Sequence, residues 1–156
     1  PSHTGETGVK QRLALLEQTL HREVPLTRTM GVRVEEHDGR ELLFLADFEP
    51  NINIHGTAFG GSLYSICAVV CWGMLHLKYE DEGLQAHSVL GDASISYRLP
   101  VRGEIKARCR LPEDGSYETF IENLRAGRRS RIELTAEILT ERGVAVRFIG
   151  SYSATT

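Results

Sequence analysis

Apolar and polar positions alternate with a period of two over most of this chain, and that pattern predicts six strands. Met30, Val32 and Val34 alternate with Gly31, Arg33 and Glu35. His37-Asp38-Gly39-Arg40 then reads as a hairpin turn, followed by the apolar row Leu42, Phe44, Ala46 and Phe48. Val89, Gly91, Ala93, Ile95, Tyr97 and Leu99 form a third row, with Leu90, Asp92, Ser94, Ser96 and Arg98 on the polar side. Ile105, Ala107, Cys109 and Leu111 form a fourth, and Ile132, Leu134, Ala136 and Ile138 a fifth. Val144, Val146 and Phe148 complete the set after the Glu141-Arg142-Gly143 turn. One wet face and one buried face per strand is the mark of an antiparallel sheet.

Three segments break the period. Val9 to Glu23 carries Leu13, Leu16 and Leu20 at helical spacing, which Val24 continues, and Pro25 stops it. Tyr117, Phe120, Ile121 and Leu124 recur at i, i+3, i+4 and i+7, with Ser116 as the expected N-cap and Gly127 as the stop. This short helix is an insertion between two strands. The third segment, Ser62 to Leu77, carries no formal charge over 16 residues. A helix that is apolar nearly all round is buried nearly all round. Sixteen residues fall short of the ~20 that a membrane span needs, so the sheet must wrap this helix. The prediction is an α+β hotdog fold: a curved antiparallel sheet of about six strands around a central helix, with an N-terminal helix and an inserted short helix.

Composition narrows the function more than the fold. The 156 residues suit one domain, 1–156, with residues 1–6 expected to be loose. At 41% hydrophobic and 25% charged the chain reads as a soluble globular protein. A net charge of −3 gives no reason to expect nucleic acid or an anionic membrane as partner. The N-terminal residues lack the basic-then-apolar order of a signal peptide, so the expected compartment is the cytoplasm. Cys67, Cys71 and Cys109 are an odd count without paired spacing and read as core residues of a reduced protein. No metal site and no cofactor is expected.

The chemistry concentrates just before the central helix. Asn51 to Gly61 holds three glycines and two asparagines in 11 residues. Glycine there permits unusual dihedrals and close approach of backbone to a ligand. The first N–H groups of the helix have no internal partner, and the helix dipole adds partial positive charge. A carbonyl oxygen held there is polarised. On spacing alone, the glycine pair could equally serve only to let the helix pack against a strand.

The stretch Asn53-x-x-Gly56-Thr57-x-Phe59-Gly60-Gly61 is similar to the Asn-x-x-Gly-Thr-x-His-Gly-Gly motif of hotdog acyl-CoA thioesterases. Asp92 to Val101 resembles the strand that follows the helix in that superfamily. Gly56-Thr57-Ala58-Phe59-Gly60-Gly61-Ser62-Leu63-Tyr64-Ser65 is closer to the YiiD-type thioesterase domain, and the inserted helix at 116–126 fits that subgroup. The resemblance implies hydrolysis of an acyl-CoA or acyl-carrier-protein thioester. Asn53 would orient the water or the thioester, and the Gly60 or Gly61 N–H would hold its oxygen. It also implies a homodimer or higher homo-oligomer, because such sites use both subunits.

Two positions depart from that pattern. Phe59 stands where the motif has His. Ala68 stands where relatives carry a helix carboxylate, eight residues past Gly60. Candidate substitutes are His55, as general base or as a loop histidine bonded to backbone; Ser65, orienting a water or bonding back to its own helix; and Asp92, catalytic or simply solvated. Phe59 and Tyr64 would line an acyl pocket or fill core. Arg98, Arg102, Arg128 and Arg129 could bind a phosphate of the carrier or be plain surface charge. The rival functions are a non-hydrolytic acyl-thioester binding module, an enoyl-thioester hydratase or dehydratase, and a purely structural domain.

Overall fold

The computed structural model describes residues 2–156. Helix α1 (Ser2–Glu23) leads through a short α2 (Leu26–Thr29) into strands β1 (Arg33–His37) and β2 (Glu41–Ala46). A 3-10 turn at Glu49–Asn51 precedes the central helix α3 (Gly60–Glu82). Then come β3 (His87–Tyr97), β4 (Ile105–Arg110), α4 (Ser116–Arg125), β5 (Ser130–Thr140) and β6 (Gly143–Thr155). All pairings are antiparallel, in the order β1-β2-β4-β5-β6-β3. The six-stranded sheet curls around α3, which is the hotdog fold.

The inward rows of β2, β4, β5 and β6 meet the helix. Leu42, Phe44, Ile105, Ala107, Leu134, Ile138 and Phe148 are fully buried beside Ile66, Val70, Met74 and Leu77 of α3. Gly73 marks the closest approach of α3 to β2, since a methyl there would meet Phe44 Cζ at 2.9 Å. α4 packs on the C-terminal end of α3, where Tyr117 and Arg125 bond Glu82 and the Phe120 and Tyr79 rings stack at 6.4 Å.

Four expectations are corrected. The central helix is 23 residues, not 16, and is long and apolar enough to cross a membrane by length and composition alone. It is a core helix because the sheet packs on it, not because it is short. Lys78, Glu80 and Asp81 extend it because its last turn reaches solvent and pairs with Arg12 of α1, until Gly83 ends it at φ 66°. In β3 the register shifts between Leu90 and Asp92. Such a bulge flips the side-chain phase, so Leu90 packs on the core while Val89 is 61% exposed, the reverse of the simple alternation. Gly115, not Ser116, caps α4, and the Asp114 carboxylate accepts the Ser116 N–H at 3.0 Å. α1 starts at Ser2 rather than Val9, and Pro1 lies outside the described residues.

The two sheet edges differ. Along β1, α1 lies beside the strand. The Glu17 carboxylate accepts the Val34 N–H at 2.8 Å, and His21 Nε2 donates to the Val32 carbonyl at 2.7 Å. Among the described residues β3 pairs only with β6, so its outer edge is unpaired over 11 residues.

Candidate active site

The loop entering α3 is built by asparagines. Asn51 is buried, and its amide donates to the carbonyls of Met30 at 2.9 Å and Asp47 at 2.6 Å. Its own carbonyl accepts the Phe59 N–H at 2.7 Å, which anchors the last residue before the helix. Asn53 then folds the loop on itself. Its Oδ1 accepts the N–H groups of His55 at 2.8 Å and Thr57 at 3.2 Å, and its Nδ2 donates to Thr57 Oγ1 at 2.8 Å. Gly56 supplies the φ of 73° that the tip requires. Thus Asn53 shapes the loop, and both of its polar atoms are engaged. His55 and Ile54 sit exposed at the tip, Ile54 at 94%.

Phe59 turns the chain into the helix with extended dihedrals, and no side chain among the described residues caps that end. The first N–H groups, from Gly60 onward, therefore keep their donor capacity. Two aromatic rings bracket the glycines. The Tyr97 ring lies 3.4 Å from where a Gly60 Cβ would sit, and Phe59 Cε2 lies 2.5 Å from a Gly61 Cβ. The Tyr97 hydroxyl donates to the Gly60 carbonyl at 2.8 Å, and the Ser65 hydroxyl donates to the Gly61 carbonyl at 2.8 Å. Burial raises the Tyr97 pKa above that of a free phenol, and the neighbouring Cys67 and Tyr64 add to it. Its proton therefore stays on the oxygen at neutral pH. Beside Gly60 opens a cleft of about 300 Å³ lined by Ala58, Leu63, Tyr97, Arg98 and Val101 among others. Tyr64, one helical turn on, packs edge-on against Phe148 at 5.3 Å.

A larger groove of about 1040 Å³ lies between α1 and the outer side of the sheet, near Leu13, Leu43 and Leu139. It shares no lining residue with the cleft at Gly60. Size favours that groove, but the uncapped helix start is what can polarise a carbonyl, so chemistry favours the smaller cleft.

The expected site residues thus divide. Asn53, Phe59, Gly60, Gly61, Tyr64 and Ser65 lie on the loop and the first turns of α3, and Arg98 lines the adjoining cleft. Asp92 lies on the outer face of the sheet, where its carboxylate accepts from Arg131 Nη2 at 2.9 Å. Arg128 follows α4 and donates to Asn123 Oδ1 at 2.9 Å. Neither meets the helix start. Ala68 is half-buried on α3, and its carbonyl accepts the Tyr152 hydroxyl at 2.7 Å. Asn51 and Tyr97 were not among the expected residues. The only signals they gave were the repeated Asn-Ile pair at 51–54 and a tyrosine near the end of an apolar row.

Residues 13–156 match the family described as "Putative thioesterase (yiiD_Cterm)". Solved structures agree. A protein of unknown function from Chlorobaculum tepidum is 32% identical, with a TM-score of 0.88 over 95% of this chain and 96% of that one. A Shewanella oneidensis protein described as a putative thioesterase is 28% identical, with a TM-score of 0.85 over 94% and 99%. A Pseudomonas aeruginosa protein at 19% identity and a TM-score of 0.74, over 91% and 94%, shares the fold.

Proposed function

We propose, because this chain belongs to the putative thioesterase family of the yiiD C-terminal type, that it hydrolyses an acyl thioester of coenzyme A or acyl carrier protein to free acid and thiol. The observation that carries this reading is the uncapped start of α3 at Gly60-Gly61, opening on a cleft. A thioester oxygen seated there accepts the Gly60 or Gly61 N–H. Water adds to the thioester carbon, and the oxyanion that forms gains more from those donors and the helix dipole than the ground-state carbonyl does. The C–S bond then breaks, and the thiolate leaves and takes up a proton. Phe59, Tyr64 and the apolar lining of the cleft form the acyl side, and Arg98 is the cation available to a carrier phosphate. His55 is the one titratable side chain in the loop from Ile52 to Phe59 and is assigned as the base that takes the proton of the water.

The site is completed by a second copy. An exposed strand edge invites pairing. Here α1 covers one edge, while β3 leaves the other open next to Val89, Tyr97 and Phe59, which are 61%, 52% and 56% exposed. A two-fold pairing along β3 brings the partner's loop toward the helix start. The three cysteines are buried and unpaired, which supports a reducing compartment, the cytoplasm.

One observation favours a second reading. No carboxylate stands on α3 before Glu80, and Ala68 occupies the family's position. That suits a module that binds a thioester without turning it over. Incubation with panels of acyl-CoA and enoyl-CoA decides among the readings. Free thiol without hydration supports the hydrolase. Saturable binding without thiol release supports the binder. Hydration of the enoyl panel supports a hydratase and overturns the proposal.

A further inference from the structure

We propose that Tyr97 is a positioning residue for the carbonyl-binding donor, acting through the Gly60–Gly61 peptide; this rests on the hydrolase reading above. The Gly60 carbonyl and the Gly61 N–H are the two ends of one peptide unit. The Tyr97 hydroxyl donates to that carbonyl at 2.8 Å, the ordinary length for such a bond. A peptide that accepts a hydrogen bond at its oxygen is a stronger donor at its nitrogen. The bond therefore strengthens the N–H that meets the thioester oxygen.

The same bond fixes the donor in space. Two adjacent glycines at a helix end without a side-chain cap carry no side chain to restrain their peptide plane beyond the helix's own backbone ladder. Ser65 bonds the next carbonyl, but it belongs to the same helix and moves with it. Tyr97 belongs to the sheet. It pairs with Val146 of β6, and the two following N–H groups, of Arg98 and Leu99, both donate to the Ala145 carbonyl, at 2.7 and 3.1 Å. The phenol thus ties the helix start to a rigid strand end. Its ring also lines the cleft at Gly60, so the bond lies beside the space the acyl thioester enters. Pre-set orientation of this kind is what makes a donor effective when charge develops.

The test is Tyr97→Phe, which keeps the ring and removes the donor. The expected result is a kcat for acyl-CoA hydrolysis about tenfold lower, a fraction of the loss that follows removal of an oxyanion donor itself. KM stays within about twofold, and the Gly61 amide proton moves upfield in the NMR spectrum of the folded protein. An unchanged kcat, or a loss confined to KM, overturns the proposal. If the native protein releases no thiol from any acyl-CoA, the hydrolase reading fails separately. The amide resonance then still decides the positioning role: moved upholds it, unmoved overturns it. Should the Phe variant misfold, 3-fluorotyrosine at 97 keeps ring and hydroxyl with a stronger donor. It must then move the Gly61 amide downfield, and no movement overturns the proposal.

Discussion

The ring of Phe59 lies across the α-carbon of Gly61, so close that a methyl there would meet its Cε2 at 2.5 Å. Glycine is therefore needed at 61 to share space with an aromatic ring, not for its dihedrals, since its φ is not positive. Gly61→Ala should separate stability from activity. The clashing ring is more than half exposed and free to swing, and alanine improves helix propensity by up to ~1 kcal/mol. Thermal stability is expected to be unchanged or slightly raised, while the displaced ring lowers kcat/KM for thioester hydrolysis by at least about tenfold. A melting curve and an initial-rate series on the same preparation check both halves.

Ala68 offers the converse experiment. It is half-buried on α3, at the position where the family pattern carries a carboxylate. Ala68→Asp is expected to raise kcat by about tenfold, less than the roughly 10²–10⁴-fold of a sole general base, because His55 already serves as one. The new charge is expected to cost about 1 kcal/mol of stability. A kcat that falls or does not change shows that a carboxylate at this position does not reach the attacking water.

The open edge of β3 predicts the assembly. Sedimentation should give a dimer for the native chain. Val89→Glu, which puts a charge on the exposed edge of each copy, should shift it to monomer and lower activity with it. A stable native monomer that still turns over contradicts both the pairing and the shared site.

His37 predicts a pH dependence of stability. Its Nδ1 donates to the Glu41 carbonyl at 2.8 Å, and its Nε2 is buried without a partner among the described residues. Burial lowers its pKa below the ordinary histidine value, against the opposing pull of the Glu41 carbonyl. The unfolded chain thus binds the proton more readily than the folded one. Stability from this group is full above pH ~6.5, the ordinary histidine value, and is lost as pH falls through that value toward the lowered one. Urea midpoints at pH 8 and pH 5.5 should differ more for the native chain than for His37→Gln. Equal slopes in the two proteins contradict the assignment.

Local pattern carried much of the fold because each strand keeps one face to the core. Leu42, Phe44, Ile105, Ala107, Leu134 and Ile138 are buried as their alternation predicts. The charge-free run from Ser62 is the wrapped helix, since only burial tolerates so much apolar surface. What the pattern missed depends on contacts between distant residues. The turn that prolongs α3 to Glu82 is polar and is held by Arg12 from another element. The phase of β3 changes at a bulge that no period-two count detects. At the site, the glycine-rich block lies on the loop and first turn of α3, directly ahead of the charge-free run as the sequence order requires. The Tyr97 bond to Gly60 spans 37 residues, and the Asn51 anchor to Met30 spans 21. Neither bond can be read from a local pattern, since its two ends lie in different elements. Asp92 fell on the polar side of its strand by count, and in the fold that side is the outer face, where it pairs with Arg131 across Ser151.

The central claim is that N–H groups at Gly60-Gly61 polarise a thioester carbonyl, and infrared difference spectroscopy measures it directly. An acyl-CoA carrying 13C at the thioester carbonyl is bound to the protein, and the band is compared with that of the free compound. Strong donors lower the carbonyl stretch, so the account predicts a shift to lower wavenumber in the native protein and a smaller shift in Tyr97→Phe. A bound thioester whose carbonyl band stays at the free value contradicts the account.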